Sequence, residues 1–300
     1  QGRRLLMGTL APNRQTPASA KLWDSESDRF EELQGAGFGP VAFAQDGVPL
    51  QLTLDPAQNQ LTLIDLSTGR DVSRLAMPAA EDLRFSAPLA VTADGTSLAA
   101  AAVKSDGDPA GVLLWNAAER DWLPVLPLGD ASGLAFSPDG TLLAAGDADG
   151  NIAVGAVRTG QALVSLTASR DARVCLAFSR DRRRAASPAD AEADGWLLAA
   201  GDEGSTVTIW DLTRQIPRSY CRGNGYDVRA VAFSPDGVTL ACAGHGEVRM
   251  WDAASGQLLL IPRAFCGGTR GLASSPDGRR LAVGGEAGAP VAVFELAAGR

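Results

Sequence analysis

Residues 230–261, AVAFSPDGVTLACAGHGEVRMWDAASGQLLLI, read as four short strands joined by three tight turns. In the first, Val231 and Phe233 face one way and Ala232 the other, which is the alternation of a strand. An alanine opposite two large residues suits an inner strand in a narrow space. Pro235 presets the turn, Asp236 can bond the local backbone, and Gly237 supplies a positive φ. The chain returns as VTLACAG, turns through His245-Gly246-Glu247, runs out as VRMWD, turns at AASG and ends on QLLLI. The result is a four-stranded antiparallel meander.

The unit recurs. Its first turn is repeated, in full or degenerate form, from Val41 (VAFAQDG), Leu89 (LAVTADG), Leu134 (LAFSPDG), Leu176 (LAFSRD), Val231 (VAFSPDG) and Leu272 (LASSPDG). A second marker, a bulky apolar residue followed by a short acid or amide, falls between these copies. Its examples are Trp23-Asp24, Ile64-Asp65, Trp115-Asn116, Trp210-Asp211, Trp251-Asp252 and Phe294-Glu295, with Gly155-Ala156 as the deviant. A period of about 45 residues marks an array of one supersecondary unit, and a four-stranded meander of this length is one propeller blade. The expected repeats are 1–40, 41–88, 89–132, 133–173, 174–229, 230–270 and 271–300, within one domain. Seven third strands imply an all-β, seven-bladed propeller with incomplete first and last blades. In the first, Arg4–Leu10, Ala20–Ser25 and Phe30–Leu33 read as second, third and fourth strands without an inner one. In the last, the outer strand is missing. The rival count is six closed blades, with Phe30–Leu33 completing the last. With seven blades, the expectation is a portion of a longer polypeptide cut inside a repeat and linked to further domains.

The SPDG turn, the Leu-Ala-Ala-Gly second strand and the Trp-Asp pair together resemble the WD-repeat β-propeller family, over nearly the whole chain. Many members carry a Gly-His pair ahead of each inner strand, whose His joins a buried network with Asp, Ser and Trp. The corresponding segments here, LGDASG, SRDARV, GNGYDV and GGTRG, hold no His, so that network cannot form in its usual version. Bacterial repeats appended to larger signalling proteins are similar. The resemblance implies a fold used mainly for binding.

Composition narrows the partners. The 300 residues carry a net charge of -8, which repels phosphate backbones and argues against nucleic acid. No apolar run approaches the ~20 residues of a membrane span. The four cysteines lie in no CxxC pair and the chain has one His, so a zinc site is not expected. Cys175 and Cys242 fall in apolar strands; Cys221 and Cys266 read as loop residues, able to pair but expected free in a reducing, cytoplasmic compartment. No cofactor is expected.

Three connections exceed what the repeat needs: Leu10–Lys21 and Val103–Gly111 on one face, and Arg180–Gly195 on the other. Fourth-to-first loops carry aromatics, Phe38, Phe85, Tyr226 and Phe265, which with Arg270 and His245 form the expected partner-binding set. The plainer alternative tucks each aromatic under its own loop. The turn acids Asp108, Asp149, Asp202, Glu247 and Glu286 would favour a basic peptide. Arg182-Arg183-Arg184 reads as a solvated loop, Asp147–Asn151 as a tight turn, and Gly35, Gly37 and Gly39 as a loop with no following helix to bind phosphate. His245 has no adjacent nucleophile. The expected function is therefore a non-catalytic protein- or peptide-binding scaffold or sensor of a bacterial regulatory protein. A metal-dependent hydrolase at a central channel and an autoinhibitory architectural domain are the alternatives.

Overall fold

The computed structural model describes residues 4–8, 20–24, 29–33, 40–43, 48–77, 82–116, 121–126, 128–168, 174–181, 195–225, 227–245, 247–262, 269–275, 277–285 and 292–296. Among them all regular structure is β, in seven antiparallel sheets. The chain divides into two compact units, Gln1–Asp147 with Ala153–Leu163, and Ala148–Ile152 with Val164–Arg300.

The first unit opens on a three-stranded sheet of β1 (Arg4–Gly8), β2 (Ala20–Asp24) and β3 (Arg29–Leu33). These are the second, third and fourth strands expected of a blade without an inner strand. Two four-stranded sheets follow: β4 (Val41–Phe43), β5 (Pro49–Asp55), β6 (Gln60–Asp65) and β7 (Arg70–Ala76), then β8 (Leu83–Val91), β9 (Ser97–Lys104), β10 (Pro109–Asn116) and β11 (Asp121–Leu126). The division runs through the next sheet, β12 (Ala131–Phe136), β13 (Leu142–Asp147), β14 (Asn151–Ala156) and β15 (Ala162–Thr167). The second unit then holds β16 (Cys175–Arg180), β17 (Trp196–Gly201), β18 (Thr206–Asp211) and β19 (Ile216–Arg222), and β20 (Ala230–Phe233), β21 (Thr239–Ala243), β22 (Val248–Asp252) and β23 (Leu258–Leu260). It ends on three strands, β24 (Thr269–Ser274), β25 (Arg280–Gly285) and β26 (Ala292–Glu295).

The repeated turn is closed by its own side chains. Thr92, Ser137, Ser234 and Ser275 each donate a hydroxyl hydrogen bond to the aspartate two residues on, at 2.5–2.7 Å. The same hydroxyl accepts the amide five residues on at 2.9 Å, from Ser97, Leu142, Thr239 and Arg280. The aspartate also accepts the amide of Thr96, Thr141, Val238 or Arg279, at 3.0–3.1 Å. The hydroxyl, the carboxylate and these turn amides thus satisfy one another within six residues. The third-to-fourth turn uses the same device: Asp65 accepts from the amides and hydroxyls of Ser67 and Thr68, and Asp252 from Ala254 and Ser255. That turn closes through a left-handed residue, Gly69, Gly160 or Gly256, and at the same position in the next-to-last complete sheet stands Gln215 with φ 57°.

These bonds hold turn carboxylates ionised. The hydroxyls of Ser67 and Thr68 lower Asp65, and that of Ser275 lowers Asp277. Burial raises Asp94, but bonds from Thr92 and Thr96 outweigh it and its pKa falls.

The core is built by second and third strands. Ala99, Ala100, Ala144, Ala145 and Ala199 are fully buried, so neighbouring strands can approach closely. Register sets a second-strand leucine opposite four of the bulky markers, Leu98 and Trp115, Leu198 and Trp210, Leu240 and Trp251, Leu281 and Phe294, whereas Ile64 faces Gln51. Two expectations are corrected. The Val103–Gly111 connection is mostly strand, because Val103 pairs with Pro109 and the Lys104 amide bonds the Asp108 carbonyl at 2.8 Å. Cys221 lies inside β19 and is fully buried, not in a loop.

Cys175, Cys221 and Cys242 are free thiols in the second unit. Burial pushes Cys175 and Cys221 up to about 12, and Cys242 also well above its ordinary value. A raised folded pKa means that the unfolded chain ionises first. The associated stability is complete below about 9 and is lost as pH rises toward about 12. Treatment of the native protein with iodoacetamide at pH 8, followed by peptide mapping, should therefore leave these three thiols unmodified until urea unfolds the chain. Rapid native labelling of any of them would contradict the packing.

Candidate functional site

Two acid–X–arginine pairs stand at the starts of the two strands that flank β21 in the second unit. Asp227 and Arg229 precede β20, and Glu247 and Arg249 open β22. Residues two apart on a strand share a face, so each carboxylate meets its guanidinium. Arg229 Nε donates to Asp227 Oδ2 at 2.7 Å, and Arg249 donates to Glu247 Oε2 from Nε at 3.1 Å and from Nη2 at 2.7 Å. The pairs are tied into the loops around them. Arg229 Nη2 lies 2.5 Å from His245 Nε2, and Arg249 Nη1 donates to the Gly223 carbonyl. The Arg229 amide also bonds the Ala243 carbonyl at 2.8 Å, which brings the approach to β20 alongside the β21–β22 turn.

A small crevice opens between these groups, lined by Asn224, Cys242, Ala243, Gly244, His245, Glu247 and Arg249. Asn224 is buried, and its Nδ2 donates to the Ser205 carbonyl at 3.2 Å and more weakly to Cys221 at 3.4 Å. Both partners are acceptors, which fixes the amide orientation and leaves Oδ1 buried with no hydrogen-bond partner. The crevice wall therefore joins Asn224, with its unsatisfied acceptor, to one arginine, one carboxylate and an exposed imidazole, and the Asp227–Arg229 pair stands beside His245. That is hardware for polar recognition. Among the described residues no group of three or more His, Cys, Asp or Glu side chains is placed to hold a metal ion.

The structure treats the expected contact residues unequally. His245 is exposed beside Arg229, in the site. Phe38, Tyr226 and Phe265 lie outside the described residues, as does Glu286. Arg270 is in β24, and its side chain is not among those described. Phe85 is corrected: it sits within β8, only 4% exposed, with its ring 5.0 Å from that of Trp122. Its amide donates to Asn59 Oδ1 at 2.8 Å, so a residue of the preceding sheet pins it inward. Asp227, Arg229, Arg249 and Asn224 were not singled out from sequence, although the two D/E-V-R triplets mark the first three.

A model of the WD domain, G-beta repeat, matches residues 216–252, and a model of the anaphase-promoting complex subunit 4 WD40 domain matches 127–181. The crystal structure of the Myceliophteria thermophila Cps50 (Swd1) beta-propeller domain superposes with a TM-score of 0.71, covering 98% of this chain and 93% of that one at 16% identity. Two stretches of the chain thus match WD-repeat models, and its fold is similar to that of a β-propeller. The seven sheets among the described residues match the repeats one for one. The chain is also similar to the Protein groucho of Drosophila melanogaster, 37% identical over 98 residues, which span 31% of this chain and 13% of Groucho. Within these sheets, the indole N–H groups of Trp210 and Trp251 are buried without a partner. Each unmet donor costs on the order of 1–3 kcal/mol. The turn serine–aspartate bonds and strand-to-strand packing carry the blades instead.

No helix among the described residues is long and apolar enough to cross a membrane.

Proposed function

We propose that this propeller is a non-catalytic scaffold or sensor module that captures a protein or peptide on the loops around Asn224, His245 and Arg249. The observation carrying this reading is the buried, partnerless Oδ1 of Asn224, in a crevice wall that also carries His245, Glu247 and Arg249. A buried acceptor with no protein partner, on a residue lining a crevice, is satisfied when an incoming segment supplies an N–H donor. Asp227 and Glu247 are only part-buried and draw a basic segment, and Tyr226 and Phe265 are proposed from sequence alone as its aromatic contacts. The match to a small fraction of Groucho supports a role as one module of a larger polypeptide, and a regulatory task in the bacterial cytoplasm is part of the same proposal.

The test is crosslinking in the native cell extract with wild-type chain and with His245→Ala/Arg249→Ala. Loss of a specific crosslinked partner from the variant, with an unchanged melting curve, is the expected result. An identical crosslinking pattern from both proteins would remove this crevice as the binding site. Metal analysis of the purified chain tests the hydrolase alternative: a stoichiometric divalent ion would replace the scaffold reading.

A further inference from the structure

Outer strands in this propeller follow a rule that one of them breaks. Six residues beyond the left-handed turn residue, each outer strand drives one side chain into the core. From Gly69 this is Leu75, from Gly160 it is Leu166, and from Gln215 it is Cys221, exposed by 7%, 7% and 0%. From Gly256 the same step reaches Pro262, which is only half-buried. Proline has no amide to donate, so it cannot extend pairing with β22. β23 accordingly stops at Leu260 and pairs only through Met250–Leu260 and Trp251–Leu258.

The consequence is an exposed aliphatic run. Leu258, Leu259, Leu260 and Ile261 are 39%, 54%, 51% and 41% exposed. Consecutive residues of a strand point to opposite faces, so side chains on both faces of β23 are exposed, and among the described residues no strand pairs with its outer edge. We infer that β23 is a docking edge for an extended segment of another protein, which adds as a fifth strand. It is a surface separate from the Asn224 crevice.

The occupant follows from area and charge. Four half-exposed side chains offer on the order of 300 Å², well under the roughly 800 Å² per partner of a stable dimer. A single strand needs less, because backbone hydrogen bonds hold it and alternate side chains select it. The turn feeding β23 lies on the preceding outer strand: a Cβ at Gly256 would come within 2.4 Å of the Tyr220 carbonyl. Tyr220 is 44% exposed, and the Arg222 guanidinium lies over its ring at 4.9 Å, with no ion pair to any described residue. The segment therefore carries large aliphatic residues at alternate positions and an acidic residue at the end that meets Arg222.

The test uses the full chain and a labelled short peptide of alternating valine and threonine, closed by glutamate at both ends. Fluorescence anisotropy reads binding, and amide hydrogen exchange reads residues 257–261. Binding should slow exchange there. Leu259→Lys should weaken it about tenfold and Arg222→Ala several-fold. Pro262→Val, which restores an anchor and an amide donor, should also weaken it by burying Leu260. No binding, equal binding by Leu259→Lys, or equal binding of a peptide with proline at alternate positions would overturn the inference. So would concentration-dependent dimerisation in sedimentation that Leu259→Lys abolishes, since the occupant would then be a second copy.

Discussion

Gly237→Ala is expected to destabilise the protein by about 3 kcal/mol, whereas Gly278→Ala, at the same place in the next blade, should cost about 1 kcal/mol. Both glycines close SPDG turns in the left-handed region, with φ of 70° and 69°. Both lose about 1 kcal/mol when a Cβ is forced into that conformation. The difference lies in what the Cβ would meet. At Gly237 it would come within 2.5 Å of the Arg180 carbonyl oxygen and 2.7 Å of Ser179 Oγ, in the turn of the preceding blade. Backbone oxygen cannot swing aside, so the two blades must separate. At Gly278 the nearest atom is Pro235 Cδ at 3.6 Å, an ordinary contact. Urea unfolding of the two variants side by side isolates the close approach from the common backbone penalty. Equal losses would mean that these turns do not pack as tightly as the structure has them.

That comparison also shows where sequence reading succeeds. The SPDG turn is legible because its chemistry is local: serine, aspartate and glycine satisfy one another within six residues, whatever lies around them. The three-stranded first and last sheets are legible for the same reason, since each strand brings its own turn. Contacts between sheets leave no such trace. Nothing in the sequence separates Gly237 from Gly278. Phe85 falls between repeat markers and reads as loop, but β8 starts at Leu83, and Asn59 of the preceding sheet accepts its amide. Cys221 reads as loop because outer strands carry no marker and Pro217 interrupts the pattern. The recurrent register shifts just before the marker residue, at Leu63/Ile64, Ile209/Trp210 and Met250/Trp251, arise from pairing with the fourth strand and are equally silent. In the candidate site, the spacing of Asp227 with Arg229 and of Glu247 with Arg249 was visible. Their convergence with His245 was not, because it depends on the approach to β20 lying beside the end of β21.

Arg218→Met is expected to cost about 3 kcal/mol, and the double variant Asp181→Leu/Arg218→Met to recover to within about 1 kcal/mol of wild type. Asp181 ends the inner-strand turn of its blade, at the point where the long connection to β17 departs. Its amide bonds the Gly195 carbonyl at 2.8 Å, and its carboxylate accepts from Arg218 Nη1 of β19. The side chains are only 7% and 22% exposed, so water screens the pair poorly. Taking both charges out of water costs about as much as their attraction returns, and the pair itself adds little net stability. Removing only the arginine is different. A carboxylate remains in a buried site, with nothing to replace the guanidinium, and the fold bears its full desolvation. Leucine at 181 removes that charge and keeps the amide bond to Gly195. The measurement is a urea double-mutant cycle at neutral pH. A single-variant loss below about 1 kcal/mol would show that the carboxylate reaches solvent or another partner. A double variant as unstable as Arg218→Met would show instead that this pair orients the strand ends around the connection, a task that apolar side chains cannot perform.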